Sequence, residues 1–232
     1  MPLVAAGAGV MFATSAQTSQ GTDLRSSGRT DLVDVVRARN LDVRQRAQSV
    51  KDLQDQVDAL TAQVAPGNAA VSRLRATATK LAPVVGTQAV SGPELSVSLD
   101  DAKRTAASLP KGYSADDIVV HQQDVQSVVN ALWAGGAEAM MLQDQRVIST
   151  SAVRCVGNTL ILQGRVYSPP YVIRAIGDVS AMRAALDQSP QVTIYRQYVD
   201  LLGLGYYVTT KSAASFPAYT GSVGLLYATA LP

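Results

Sequence analysis

The sequence predicts an α+β fold preceded by a helical arm, and three patterns support this prediction. Apolar residues from Val125 to Trp133 recur at helical spacing, and the pattern ends at Gly135-Gly136. Segments of alternating apolar and polar residues flank this helix, as in half-buried strands. Valines spaced by seven residues run from Val36 to Val64, which indicates a long helix with a narrow apolar face.

The chain begins with an apolar run at residues 2–13. A membrane-spanning helix needs roughly 20 apolar residues, so this run is short for a complete span. We expect residues 1–16 to be a truncated transmembrane or anchor segment, whose remainder an upstream extension of the reading frame would supply. The alternative is a frayed apolar tail. Residues 17–30, rich in Gln, Ser, Thr and Gly, predict a linker.

Residues 31–88 predict a coiled-coil arm with a break at residues 66–68. Valine at the first position of each heptad and leucine at the fourth favour two parallel strands, so we expect a homodimer. Arg39 and Arg46 interrupt the seam, and the alternative is that the helix packs on its own domain. The proline break is either a bend or the tip of a helical hairpin. The predicted interface residues are Val36, Val43, Val50, Leu53, Val57, Leu60 and Val64.

Residues 89–232 predict one compact α+β domain. We expect strands at residues 95–99, 137–142, 153–162, 171–176, 192–198 and 205–210. The central helix follows residue 121, and a second short helix, with Ser180 as a candidate N-cap, covers residues 180–186. This order of strands and helices resembles a ferredoxin-like α/β sandwich, in which the helices lie on one face of the sheet.

The titratable residues do not form a recognisable catalytic set. His121, the only histidine, precedes the central helix together with Asp124, and this pair is either a general base with its carboxylate or a helix cap. Capping is the favoured interpretation because no nucleophile is placed beside the pair. Cys155 is the only cysteine and is expected to be a small buried side chain. We therefore predict no catalytic residues, no metal site and no cofactor.

Arginines near the predicted hairpin strands form a candidate binding patch. Arg146, Arg154 and Arg165, with Asn158 close by, could hold an anionic ligand. The alternative is that these are solvated arginines on a sheet face, with Asn158 in a hairpin turn. The net charge of the whole chain is only +2, so the chain lacks the strong positive field that nucleic-acid binding requires.

Several motifs resemble a known family. They are V-V-N-A-L-W-A-G-G-A-E-A at residues 128–139, S-x-x-R-C-x-G-N-T at residues 151–159 and S-P-P-Y-x-I-x-A-I-G-D at residues 168–178. Together with G-T-D-L-R at residues 21–25 and P-A-Y-T-G at residues 217–221, they resemble the domain of unknown function 881 family. These are bacterial membrane proteins often labelled "division initiation protein". The resemblance assigns no catalytic role to any residue.

The resemblance implies a single N-terminal membrane helix and a location in the bacterial plasma membrane, and we expect the soluble domain to lie outside the cytoplasm. We therefore expect a non-enzymatic scaffold of the cell envelope that self-associates through the coiled coil. Its expected partners are proteins of cell division or wall synthesis, by the family label. The alternative function is an extracytoplasmic sensor domain that binds an anionic envelope ligand through the three arginines.

Overall fold

The computed structural model describes residues 24–157, 159–221 and 223, and it is a mixed α+β structure with an N-terminal helix and antiparallel sheets. The chain divides into two compact units, Met1–Asp42 and Val43–Pro232. The elements in chain order are α1 Leu24–Val64, α2 Ala69–Val85, β1 Val90–Asp100, α3 Gln122–Ala134, β2 Ala139–Leu142, β3 Gln145–Val147, β4 Val153–Val156, β5 Thr159–Leu162, β6 Arg165–Tyr167, β7 Tyr171–Ile176, α4 Val179–Gln188, α5 Pro190–Leu202 and β8 Gly205–Phe216.

A five-stranded antiparallel sheet with the order β3-β2-β7-β1-β8 carries the main core. The alternation of leucine or valine with serine along β1 places Leu95, Val97 and Leu99 on one face, where all three are fully buried. They pack in one cluster with apolar residues of α3, α4 and α5. The three helices therefore cover the same face of the sheet.

The start of β1 and the end of β8 form a two-stranded ribbon that folds over part of the opposite face of the sheet. Its register shifts between Gly92 and Glu94, and a Cβ at Gly92 would lie only 2.7 Å from Ile176 Cγ2. Glycine is therefore needed where the two segments approach. Beyond this bulge Phe216, at the end of β8, is fully buried in a second cluster with Ala139, Met141 and Ile176.

A smaller antiparallel sheet with the order β4-β5-β6 packs beside the main one. Leu160 and Leu162 of β5 are buried in the main core cluster, which attaches this sheet to the domain. The predicted extended segment at residues 153–162 is thus a hairpin that turns at Gly157, and Asn158, which the sequence placed in this turn, lies outside the described residues. The short strands β3 and β6 were not predicted.

The predicted strand at residues 192–198 is wrong, because these residues belong to helix α5. Val192, Tyr195 and Leu202 are buried at helical spacing, and Pro190 occupies the first turn, where its missing N–H costs nothing. The Ser189 side chain accepts a hydrogen bond from Val192 N, and Gly203, with φ 87°, ends the helix. These end signals are present in the sequence, whereas the alternation of apolar and polar residues at 192–198 by itself predicts a strand.

The beginning of the helical arm also differs from the prediction. Helix α1 already includes residues 24–30, which were predicted as linker, because each added helical residue gains one backbone hydrogen bond once a helix has formed. The predicted anchor, residues 1–16, lies outside the described residues. In the part of the chain that the structure describes, no helix is long and apolar enough to cross a membrane.

The two helices of the arm do not bury their apolar faces against each other. Leu53 and Leu60 of α1 and Leu74 and Leu81 of α2 are each more than half exposed. A 3₁₀ turn at Ala65–Gly67 separates the helices, and the Asn68 side chain caps α2 by accepting hydrogen bonds from the N–H groups of Ala70 and Val71. The proline break is therefore not the tip of a packed hairpin.

The end of α3 packs closely on α4. A Cβ at Gly135 would lie 2.7 Å from Met182 Cα and 2.9 Å from Ala185 Cβ, whereas Gly136 takes the positive φ of 84°. Gly135 is thus required for helix packing and Gly136 for the turn. Asp178, rather than the predicted Ser180, is the N-cap of α4, since its side chain accepts hydrogen bonds from Ser180 N and Ala181 N.

We predict that Gly135→Ala lowers the free energy of unfolding by about 2 kcal/mol, because the added methyl group overpacks the contact between α3 and α4. The matched control is Gly67→Ala, where a new Cβ meets nothing within 4 Å. Thermal and chemical unfolding, followed by circular dichroism, measure both variants. Equal stability of the two variants would contradict this account of Gly135.

Candidate functional site

A groove of about 920 Å³ lies beside α3 and the β2–β3 edge of the sheet. Helix α3 buries Val125, Val128, Ala131 and Leu132 against the core, so its remaining face is turned outward. That face forms one wall of the groove, and the end of α2, strands β2 and β3 and residues 148–153 form the others. The wall residues from α3 are Gln122, Gln126, Val129, Asn130 and Trp133.

Trp133 is placed differently from its prediction. The sequence assigned it to the apolar face of α3, but its side chain is 38% exposed and lines the groove. The residue lies at the edge of the apolar stripe, where helical spacing alone does not decide burial. Asn130 and Gln126, exposed on the same wall, were not singled out by the sequence, which carries no signal for them.

Arg146 lies in the groove wall and is 4% exposed. Its Nη1 donates hydrogen bonds to the carbonyl oxygens of Pro217 at 2.8 Å and Gln88 at 3.4 Å. Its Nε is buried without a hydrogen-bond partner, and no carboxylate among the described residues lies within ion-pair distance of the guanidinium. Burial lowers the pKa of Arg146 because the charged form loses hydration.

Arg165 is held in a different environment. Its Nη1 lies 2.7 Å from Asp144 Oδ2, and its guanidinium stacks over the Tyr167 ring. Tyr167 O–H donates a hydrogen bond to Asp144 Oδ1 and accepts one from Gln145 Nε2 at 2.9 Å. This cluster joins the β2–β3 turn to β6, so the Arg165 charge is already neutralised inside the protein.

The same contacts shift two pKa values. Burial alone would raise the pKa of Asp144, but the hydrogen bonds from Tyr167 and Arg165 and the charge of Arg165 outweigh it, so the pKa is lowered. Burial, and then the hydrogen bond to Asp144, raise the pKa of Tyr167 to about 12. Tyr167 therefore remains protonated at neutral pH.

The three predicted patch residues do not share one surface site in the described structure. Arg146 lines the groove, Arg165 pairs with Asp144, and Arg154 lies exposed on β4. Asn158, which the sequence placed near them, lies outside the described residues. Arg146 is thus the one member of the predicted patch that lines the groove and has no acidic partner among the described side chains.

His121 and Asp124 mark the beginning of α3. Asp124 Oδ2 accepts a hydrogen bond from the His121 N–H at 2.8 Å, so the aspartate serves a backbone group at the helix start. The His121 ring is turned away, with Nε2 2.9 Å from the Asp116 carbonyl oxygen. Among the described residues, no group of three His, Cys, Asp or Glu side chains is placed to hold a metal ion.

The prediction that Cys155 is buried is wrong, because the thiol is exposed. Strand β4 is the outer strand of the small sheet, and its side chains are partly or fully exposed. Cys155 N–H donates to Gln122 Oε1 at 2.9 Å, and Gln122 N–H lies 3.1 Å from Cys155 Sγ. These two contacts fasten the edge of the small sheet to the first turn of α3.

Comparisons with known proteins give consistent results. The sequence profile of a family described as "Bacterial protein of unknown function (DUF881)" matches residues 77–229. UPF0749 protein Rv1823 of Mycobacterium tuberculosis is 30% identical over 140 residues, which cover 59% of this chain and 44% of that protein. UPF0749 protein YlxW of Bacillus subtilis is 29% identical over 103 residues, which cover 44% of this chain and 43% of that protein.

One solved structure is also similar. It is described as the crystal structure of an uncharacterized conserved protein from Mycobacterium tuberculosis, with a TM-score of 0.50 and 25% sequence identity. The match covers 67% of this chain and 99% of that chain. The chain spans less than half the length of the first relatives described above.

We predict that Asp144→Asn lowers the free energy of unfolding at pH 7 by about 1 kcal/mol, a small effect because water screens this half-exposed side chain. The folded-state pKa of Asp144 is lowered, so its stabilisation is present above the unfolded carboxyl pKa of about 3.9 and is lost as pH falls through the folded value. The difference from wild type should therefore shrink below about pH 4.

Thermal unfolding at a series of pH values from neutral to acidic measures this difference. The control is Asp187→Asn, which removes a similarly exposed carboxylate from a more exposed ion pair. The side chain of its partner Arg196 is 49% exposed, whereas that of Arg165 is 10% exposed. A stability difference for Asp144→Asn that stays constant down to the most acidic pH would contradict the assigned role of the Arg165–Asp144–Tyr167 cluster.

Proposed function

The chain belongs to the DUF881 family of bacterial proteins, and we propose that it acts as a non-enzymatic, membrane-anchored scaffold that self-associates through α1. The observation that carries this proposal is an apolar stripe on α1 that nothing in the described structure covers. Its members, 48–61% exposed, are Val50, Leu53, Val57, Leu60 and Val64. A stripe of this kind is stabilised when a second helix removes it from water.

The residues beside the stripe are compatible with a second copy of the same helix. The flanking heptad positions hold uncharged residues: Ala47, Ser49, Gln54, Gln56, Thr61 and Gln63. Two parallel copies therefore meet no like-charge repulsion at these positions. The charged pair Lys51 and Asp55 lies on the outer face, where it keeps the helix soluble.

We also propose that the domain is ferredoxin-like. The strand order β2-β7-β1-β8 is all antiparallel, with α3 between β1 and β2 and with α4 and α5 between β7 and β8. This arrangement supports a β-α-β-β-α-β unit with its helices on one face. Strand β3 and the small sheet are then additions inserted between β2 and β7.

Membrane anchoring and a role in division or wall synthesis complete the proposal. The anchor is the apolar run at residues 2–13, in the family arrangement that the resemblance implies. The exposed helical arm would then hold the domain outside the cytoplasm and bring copies together at the site of assembly.

A second candidate function is recognition of an anionic ligand of the envelope. It is favoured by Arg146, a buried guanidinium in a groove without an acidic partner among the described side chains. Burying a charge without a counter-charge costs free energy, which a bound anion would offset.

Self-association can be tested by replacing three stripe residues together, as Val50→Ser, Leu53→Ser and Val57→Ser. We expect the dissociation constant of the dimer to rise at least about 100-fold, because three buried apolar side chains are removed from each helix. Sedimentation equilibrium measures it. The matched control on the same helix is Gln48→Ser, Lys51→Ser and Asp55→Ser, which leaves the stripe intact. A wild-type chain that stays monomeric at high concentration contradicts the scaffold proposal.

The division link can be tested with a fluorescent fusion of the full natural protein in growing cells. We expect enrichment at midcell, and we expect the stripe variant to lose it while remaining at the membrane. A uniform membrane signal for the wild type would contradict a division role. A diffuse cytoplasmic signal would contradict the anchor.

A further inference from the structure

We propose that the groove beside α3 binds the end of an extended peptide that carries a free carboxylate, and that Arg146 holds this carboxylate. The inference rests on the second candidate function and names its ligand class and its residues. It is independent of the stripe on α1, so its failure and the failure of self-association are separate results.

The charge of Arg146 is the first argument. The side chain is almost fully buried, yet the groups that it binds are neutral backbone carbonyls of Gln88 and Pro217. Both hydrogen bonds come from Nη1, and Nε is buried without a hydrogen-bond partner. Nη2 makes no hydrogen bond to the described residues, and it is not one of the atoms that are buried without a partner. It is therefore the donor that remains for a ligand in the groove.

The backbone contacts also fix the position of this guanidinium. The carbonyls of Gln88 and Pro217 hold it from one side, beside the C-terminal end of α2 at Gly86. An arginine held in this way loses little conformational entropy on binding, and its Nη2 is presented to a ligand in a fixed position. The charge of the guanidinium therefore favours a carboxylate over an uncharged ligand group.

The walls provide the second argument. Gln126 and Asn130 present side-chain amides, which can both donate to and accept from peptide groups. Between and opposite them lie apolar surfaces from Trp133, Val129 and Leu142. A volume of about 920 Å³ is within the usual range for small-ligand sites, which is roughly 300–1,000 Å³, and holds several residues.

Glu138 decides between ligand classes. This acidic residue also lines the groove, beyond ion-pair distance of Arg146. A simple anion or a fatty acid would be repelled by this second charge. A peptide offers its carboxylate to Arg146 while its amide or amino groups can face Glu138, so it complements both charges.

The test uses Trp133, the only tryptophan of the sequence, as a reporter inside the groove. The purified full chain is titrated with a pool of mixed-sequence pentapeptides that carry free carboxylates, and the fluorescence and the indole NMR signal of Trp133 are followed. The comparison probes are the same pool amidated at the C-terminus, dodecanoate and inorganic phosphate. We expect a saturable change with the free-carboxylate pool and at least tenfold weaker binding of the amidated pool.

Substitutions in the wall locate the site. Asn130→Asp adds a negative charge to the groove and should weaken carboxylate binding at least fivefold. Gln123→Glu makes the matched change on the same helix outside the groove and should leave binding unchanged. Arg146→Gln should abolish the preference for the free carboxylate. If that variant is destabilised, the two peptide pools and Asn130→Asp still decide the question.

Four outcomes would overturn the inference. The free-carboxylate and amidated pools could bind equally well, or neither pool could perturb Trp133. Asn130→Asp could leave binding unchanged. A response to dodecanoate or phosphate that exceeds the response to the peptides would assign the groove to a lipid or to a simple anion instead.

Discussion

The burial of β1 is the constraint on which the rest of the domain depends. This strand pairs with β7 on one side and β8 on the other, and its apolar residues lie fully buried under three helices. Removing these side chains from water provides much of the free energy that holds the helices on the sheet. Because α3, α4 and α5 pack in the same core cluster as this strand, their outward faces, including the groove wall on α3, are fixed in place.

The same strand also controls the other face of the sheet through its bulge. Glu94 follows the bulge and is 1% exposed, with its carboxylate 3.2 Å from Lys211 Nζ and 3.8 Å from Arg174 Nη1. Beyond it the ribbon carries Phe216 into the second cluster, and the next residue, Pro217, presents its carbonyl to Arg146. The bulge, the second cluster and the guanidinium in the groove are thus linked by one continuous pair of strands.

The two proposed activities use different elements, and this separation has a physical basis. The stripe lies on a helix that buries almost nothing in the domain, so it can be covered by a second copy without disturbing the core. The groove is built from core elements, so its shape depends on the packing of α3 and β2–β3. A scaffold with a recognition groove at the end of its arm would bring together copies that have bound the same ligand.

The sequence by itself determined the elements whose signals are local. The spacing of apolar residues placed α1, α3, β1 and β7, and the heptad pattern predicted the stripe on α1. Both signals depend only on residues that are close together in the sequence. Tertiary structure decided what depends on residues far apart in the chain. It exposed Cys155 on an outer strand and gave Arg146 and Arg165 different partners, whereas the helix that includes residues 192–198 has its end signals in the sequence itself. Side chains that pair across about 20 to 70 sequence positions produce no periodic pattern in the sequence. Only the folded chain could therefore assign these contacts.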